Sequence, residues 1–150
     1  MLDTQSNMIL DNEDITNLNV VLTQIIDNAR AHSILLINKS GRLITSQCEN
    51  SEYDRTALAA LISGGFASSN QIANIIGETE FSATYQEGKE NHIYVTLVDK
   101  NTILSAIFNK RTTVNRVRKV INTYKPDLAE ILQEIYSRFD SDPDVNLDVG

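Results

Sequence analysis

The sequence predicts an α+β fold in which helices are layered on a single five-stranded antiparallel sheet. Three observations favour it. Helical and strand periodicities follow one another in the order α-β-β-α-β-β-β-α, short polar turns join the strands, and the long central helical segment carries no charge. The 150 residues are enough for one domain with a single core. We expect residues 13–139 to form this domain, between a flexible N-terminus (1–12) and a flexible acidic tail (140–150).

The first predicted element is an amphipathic helix that ends near His32. Asp14 or Asn12 can cap it, and its apolar residues recur at helical steps: Ile15, Leu18, Leu22, Ile25, Ile26 and Ala29. Residues 33–38 then have the apolar composition of a buried strand, and residues 42–46 follow after a Lys-Ser-Gly turn. The first helix is therefore followed directly by a β-hairpin.

The central segment runs from Thr56 to Gly77 without one charged residue. It contains too many serines, amides and glycines for a membrane span, so a helix of this composition must be covered by protein on both sides. Asp54 can cap this helix, and Gly77 can end it in the left-handed conformation. The pair Gly64-Gly65 could instead divide it into two short helices, but the helical spacing stays in phase across the pair.

Two stripes of this central helix differ in composition. One is mostly large and apolar, and we expect it to pack on the sheet: Leu58, Leu61, Ile62, Gly65, Ile72 and Ile76. The other, the small-residue stripe, holds small or amide residues up to a terminal glutamate: Ala60, Gly64, Ala67, Gln71, Asn74 and Glu78. Small residues at alternating steps of four and three let another backbone approach closely. We therefore expect the small-residue stripe to contact a partner chain.

Three strands are predicted after the central helix, at 81–85, 92–98 and 102–108, because these segments are rich in β-branched and aromatic residues and polar turns separate them. The first of the three is expected to be an edge strand. An exposed edge presents unpaired backbone groups, so we expect this strand to pair across a subunit boundary. Its expected pairing residues are Phe81, Ala83 and Tyr85.

The last predicted element is a helix that Thr112 or Thr113 can cap. Apolar residues at helical spacing lie on both sides of Pro126. Because proline lacks a backbone donor and crowds the preceding turn, we expect either a kink at Pro126 or a fresh helix that begins there.

The charge distribution is uneven. A net charge of -7 opposes binding to nucleic acid, since affinity for phosphate backbones comes mainly from clustered cations. Between Asp99 and Asp127, however, basic residues occur without any acid. They form a candidate patch for an acidic partner or for the acidic tail: Lys110, Arg111, Arg116, Arg118 and Lys119. A solvated helix face is the alternative interpretation.

No catalytic residue, metal site or cofactor site is predicted. His32 and His92 lack a second ligand at metal-binding spacing, and Cys48 has no basic neighbour that would stabilise a thiolate. Glu78 and Glu80 are better explained as solvated residues at a helix end than as an acid–base pair. No apolar run resembles a signal peptide or a membrane segment, so we expect a cytoplasmic protein that does not insert into membranes.

Ordered blocks along the chain resemble the Roadblock/dynein light-chain family, and within it the bacterial regulators of polarity and gliding motility. The blocks that carry this resemblance are Leu35–Ile44, Leu58–Leu61, Ile72–Glu78, Glu80–Phe81, Glu87–Gly88, Ile93–Thr96, Ile107–Thr112 and Val117–Arg118. The resemblance implies a Roadblock/profilin-like fold. The chain departs from the family pattern at Asn115-Arg116 and at Pro126.

The resemblance also implies a homodimer that binds a small Ras-like GTPase and accelerates GTP hydrolysis. The central helices would lie antiparallel, and the sheets would join edge to edge. Such a regulator is not itself an enzyme, because it can act by holding the catalytic residues of the GTPase in place. The small-residue stripe would then serve both the two-fold contact and the GTPase platform. The alternatives are a dimeric scaffold or adaptor light chain and, less in keeping with the sequence, a ligand-sensing or enzymatic domain.

Overall fold

The computed structural model describes residues 10–49 and 53–140. Within them the elements follow the predicted order, which confirms the α+β prediction. The helices are α1 (Asn12–Ala29), α2 (Arg55–Ile75) and α3 (Val114–Asp140). The strands are β1 (Ser33–Asn38), β2 (Leu43–Cys48), β3 (Ala83–Glu87), β4 (His92–Asp99) and β5 (Thr102–Phe108). Most of both predicted flexible ends, residues 1–9 and 141–150, lies outside the described residues, so their flexibility stays a prediction.

The sheet is antiparallel throughout, with the strand order β2-β1-β5-β4-β3. The central strands β1 and β5 are buried along almost their whole length, because helices cover both faces of the sheet there. β2 and β3 are the two edges. β3 was the strand predicted to lie at an edge.

The core lies in two layers on opposite faces of the sheet. Alternate side chains of β1 show the division: Ile34 and Leu36 pack with α1 and α3, whereas Leu35 and Ile37 pack with α2. α1 and α3 therefore cover one face together, and α2 covers the other alone. Residues 34–37 of β1 are all apolar because their side chains pack in both layers.

The N-terminus of α1 corrects the predicted cap. Asp11 is the N-cap: its carboxylate accepts from the backbone N–H of Asp14 at 2.8 Å, and the carboxylate of Asp14 accepts in return from the N–H of Asp11 at 3.3 Å. This reciprocal pair is a capping box. The prediction of Asp14 or Asn12 was wrong because several good capping residues follow one another here, and propensity does not choose among them.

In the last helix, the predicted cap at Thr113 is confirmed and the predicted start of a new helix at Pro126 is wrong. The hydroxyl of Thr113 accepts from the N–H of Arg116 at 3.2 Å, as expected of an N-cap. α3 then continues through Pro126, so a fresh helix at that residue is wrong. Ile121 before the proline and Leu128 after it are both fully buried in the same core layer. Packing on both sides thus stabilises the helix despite one lost backbone donor.

Candidate interaction site on the central helix and the sheet edge

α2 packs on the sheet through one aromatic residue and several small ones. Phe66 is only 4 % exposed, and Ala59, Ser63 and Ala73 are buried beside it. The hydroxyl of Ser63 donates to the carbonyl oxygen of Lys39 at 2.7 Å, so this buried polar group is satisfied. The small residues let the helix approach the sheet closely. α2 is continuous through its glycine pair, as predicted, and Asp54 caps it.

The predicted core-facing stripe of α2 was largely wrong. Leu61 is 73 % exposed and Ile72 is 57 % exposed, and Ile76 after the helix is exposed as well. Leu58 and Ile62 are partly buried at the flank of the core. The prediction took the most aliphatic stripe as the buried one. In the structure, Phe66 and small residues face the sheet, and several of the largest aliphatic side chains lie on the opposite side.

The surface of α2 opposite Phe66 is an exposed apolar face. Stepping along the helix at 3.6 residues per turn, this outer face is formed by Leu61, Gly64, Ser68, Ile72 and Ile75. Ile75 is 86 % exposed, the largest value among the large apolar side chains of the described residues. Three large aliphatic side chains exposed on one helix face are typical of a protein contact, whereas single exposed aliphatic residues need no explanation.

The small-residue stripe lies on one flank of the outer face and shares Gly64 with it. All its members are exposed: Ala60, Gly64, Ala67, Gln71, Asn74 and Glu78. Glu78 lies past the end of α2, after Gly77 with its positive φ of 92°. A Cβ placed on Gly64 would meet nothing within 4 Å. The isolated chain therefore leaves space for a partner at this position, and the role of the stripe stays a prediction.

The β3 edge lies beside the flank of α2 that is opposite to the small-residue stripe. Phe81 is not part of the strand, because its N–H donates at 3.1 Å to the side-chain oxygen of Asn70, and β3 begins two residues later. Ala83 packs against the layer of α1 and α3. On that side too, the ring of Tyr85 stacks on Phe108 with centroids 6.2 Å apart. Within the described chain β3 has a strand partner on one side only.

A groove of about 200 Å³ joins α2 to the β3 edge. Residues of α2 form one wall, including Leu61 and Gly65, and residues of β3 and β4 form the other, including Thr84 and Ile93. The outer face of α2, this groove and the unpaired side of β3 are therefore neighbouring parts of one surface. The groove is lined by apolar residues together with the neutral polar side chains of Ser69, Thr84 and Gln86.

A family model for the Roadblock/LC7 domain matches residues 18–108, more than half of the chain. The chain belongs to the Roadblock/LC7 family. Among solved structures it is similar to MglB of Myxococcus xanthus, with 31% sequence identity, a TM-score of 0.78, and coverage of 85% of this chain and 96% of that one. This confirms the predicted family.

Two further structures show the same fold. The gliding protein MglB of Thermus thermophilus is 21% identical with a TM-score of 0.79, and an MglB described as having a tetrameric arrangement is 20% identical with a TM-score of 0.81. Each comparison covers 85% of this chain and 96% of the other. No curated protein matches the chain.

Two arginines of the predicted basic patch make contacts within this Roadblock/LC7 chain. The guanidinium of Arg111 donates to the carbonyl oxygens of Arg30 and Ala31 at 3.1 and 3.3 Å and pairs with Glu49 at 2.5 Å. Arg118 lies over the ring of Tyr94, 5.7 Å from its centroid. These two arginines therefore have structural contacts of their own.

Burial changes the acidity of two groups that face the sheet from α3. It lowers the pKa of Lys125, whose ammonium donates to the hydroxyl of Thr96 at 3.0 Å, because desolvation disfavours the charged form. It raises the pKa of Tyr136, which is hydrogen-bonded to Thr102 at 3.3 Å. Over residues 10–49 and 53–140 no cluster of three possible metal ligands occurs, and no helix there has the length and hydropathy needed to cross a membrane.

Proposed function

We propose that this Roadblock/LC7 domain is a homodimeric, cytoplasmic regulator of a small Ras-like GTPase, and that it activates or co-activates GTP hydrolysis. The observation that carries the proposal is the exposed apolar outer face of α2 beside an unpaired β3 edge. The 31% identity to MglB of Myxococcus xanthus across most of both chains supports the same assignment.

The proposed dimer follows from what the isolated chain leaves uncovered. Leu61, Ile72 and Ile75 are all more than half exposed, and burying an aliphatic side chain of this size contributes about 1.5–3 kcal/mol. A two-fold axis beside α2 would cover the same face of both copies at once. An axis that also pairs β3 with its copy would satisfy the open backbone groups of that edge.

The proposed mode of action needs no catalytic group from this chain. The only charged residue of α2 is Arg55, and its guanidinium donates to the hydroxyl of Ser46 at 2.9 Å. With the outer face covered by the second copy, the small-residue stripe offers a GTPase an uncharged surface, apart from Glu78 at one end. Such a surface can accelerate phosphoryl transfer by stabilising the arrangement in which the GTPase's own arginine, glutamine and Mg²⁺ ligands are in place.

The test is GTP turnover by a candidate small Ras-like GTPase, measured with and without the chain, together with light scattering to count subunits. Ala67→Arg with Gln71→Arg is expected to abolish GTPase binding and stimulation, because two cations would enter a close contact. Asn17→Arg with Gln24→Arg is the matched control, since both residues are exposed on α1.

Stimulation that survives in the α2 variant, or is lost equally in the α1 control, would contradict the assigned surface. If binding depends on the nucleotide but hydrolysis is not faster, the chain would be an effector or adaptor of the GTPase and not an activator. Binding that ignores the nucleotide would favour the scaffold alternative.

A further inference from the structure

One end of the molecule carries several cations that form no ion pair with a carboxylate of residues 10–49 and 53–140, although Glu90 lines the cavity next to Lys110. The C-terminal end of α1 and the start of α3 enclose a hollow of about 500 Å³. Four cations lie in or beside it: Arg30, Lys110, Arg116 and Lys119. Over residues 10–49 and 53–140 none of these four forms an ion pair, whereas Arg111 between them pairs with Glu49. We call these four residues the basic end.

The basic end is unusual for a chain with a net charge of -7. Unpaired cations that converge on a concave surface attract a negatively charged occupant. An anionic bilayer is a poor candidate, because it is flat and would be repelled by the rest of this acidic chain. An acidic polypeptide segment fits better, since single carboxylates can enter the hollow. The acidic tail supplies such carboxylates at Asp142, Asp144 and Asp148, which lie outside the described residues.

The tail of the same copy is poorly placed to bind this site. α3 has 27 residues, and its rise of about 1.5 Å per residue separates its two ends by about 40 Å. The basic end lies at the start of α3, and the tail leaves from the other end. Asp148 is eight residues beyond Asp140, so it can extend at most about 28 Å from there. Lys119 is the residue of the basic end nearest to the tail along α3, and it lies 21 residues, about 32 Å, before Asp140. A tail of the same copy would therefore meet its ammonium only when fully extended back along the helix, with no length left to enter the hollow.

We infer that the basic end binds the acidic tail of a second copy, an inference that rests on the proposed dimer. Pairing of β3 with its two-fold copy would place both α3 helices on one face of the joined sheet and reverse their directions. The tail of one copy would then leave from the same end of the joined sheet as the basic end of the other. α3 packs over β4, so the two helices would lie about three strand spacings apart, roughly 15 Å. This distance is within reach of Asp148, since eight extended residues span up to about 28 Å.

Mixed cross-linking tests this exchange of tails. All chains carry Cys48→Ser, which removes the only natural cysteine. One chain then carries Asn115→Cys, at an exposed residue of the hollow, and the other carries Asn146→Cys in the tail. A short thiol cross-linker is expected to join the two different chains. Lys119→Glu in the first chain should lower the yield about fivefold, as should about 0.5 M NaCl.

Lys100→Glu is the matched control, because it makes the same charge change at an exposed turn at the opposite end of the sheet. It should leave the yield unchanged. Changing Asp142, Asp144 and Asp148 together to Asn should lower the yield as Lys119→Glu does. Equal yields in all these variants would overturn the inference.

The same samples separate the two proposals. A chain that is dimeric by light scattering but gives no mixed cross-link would overturn the exchange of tails and leave the proposed dimer intact. A chain that is monomeric would overturn the dimer itself. Loss of GTPase binding in Lys119→Glu, with the tail variant behaving normally, would assign the basic end to the GTPase and also overturn the inference.

Discussion

Arg116 donates from Nε to the carbonyl oxygen of Asn28 at 2.9 Å, so the start of α3 supplies a cation to the C-terminal end of α1. α1 has no basic residue in its own last turn. The last carbonyls of a helix lack partners within the helix and carry the negative end of its dipole. A residue far away in sequence thus completes this helix end and joins the two helices of one core layer.

Arg116→Met should destabilise the fold by about 0.5–1.5 kcal/mol, because it removes the donor and the cation but keeps most of the apolar stem. Urea unfolding gives the measurement. Lys119→Met is the matched control: it also removes a cation from an exposed residue early in α3, and it should change stability by less than about 0.5 kcal/mol. Equal effects of the two substitutions would show that general charge, and not the contact with Asn28, determines the result.

Gly64→Ala should have opposite effects on the monomer and on the dimer. Alanine is favoured over glycine inside a helix by about 1 kcal/mol, and the added Cβ would meet nothing within 4 Å in the isolated chain. The monomer should therefore become more stable. If the outer face of α2 is the two-fold contact, the same methyl group would separate two close backbones and raise the dimer dissociation constant. Analytical ultracentrifugation together with urea unfolding measures both. A more stable chain with unchanged dimerisation would place the contact elsewhere.

The order of the elements and the limits of β5 were predictable because each depends on a local pattern. Residues 102–108 alternate little and are almost entirely apolar, as a strand buried on both faces requires. The limits of β3 were not predictable from the same pattern. The backbone N–H of Phe81 donates to the side chain of Asn70 and not to a neighbouring strand, and this contact joins residues whose proximity depends on the fold.

The rotation of α2 could not be predicted for a related reason. Periodicity identifies an apolar stripe, but it does not say whether the chain's own core or another surface covers that stripe. Ser63 is buried because its hydroxyl reaches Lys39, a contact 24 residues away in sequence. The presence of the only aromatic residue of the helix, Phe66, was the available signal for the buried side. The contacts of Arg111 were not predictable either, since only the fold brings its guanidinium to the end of α1; the role of the basic patch stays a prediction.

Two substitutions test the orientation of α2. Phe66→Ala should destabilise the fold by about 3–5 kcal/mol, because it leaves a cavity between the helix and the sheet. Ile75→Gln should change the stability of the monomer by less than about 0.5 kcal/mol, because its side chain is almost fully exposed in the isolated chain. Urea unfolding at a concentration where the protein is monomeric measures both. A larger loss of stability in Ile75→Gln than in Phe66→Ala would show that the aliphatic stripe, and not Phe66, faces the sheet.

The raised pKa of Tyr136 predicts a loss of stability at alkaline pH. Burial is the main cause, since it disfavours the phenolate in the folded state. In the unfolded chain a tyrosine releases its proton near its ordinary pKa of about 10. Above that pH the unfolded state binds fewer protons than the folded state, so the free energy of unfolding falls as pH rises. Lys125 has the opposite sign: its lowered pKa means that the folded state releases its proton first, and stability rises with pH over that range.

Tyr136→Phe isolates the tyrosine contribution, because the contribution of Lys125 is present in both proteins and cancels. The free energy of unfolding is measured in urea at about pH 8 and about pH 10.5 for each protein. The variant loses the hydrogen bond to Thr102, which should cost about 0.5–1.5 kcal/mol at the lower pH, and it should lose less stability than the parent between the two pH values. Tyr53→Phe removes the same atom from an exposed tyrosine and should leave the pH dependence unchanged. An identical alkaline loss in Tyr136→Phe and the parent would show that the burial of this phenol does not govern the behaviour at high pH.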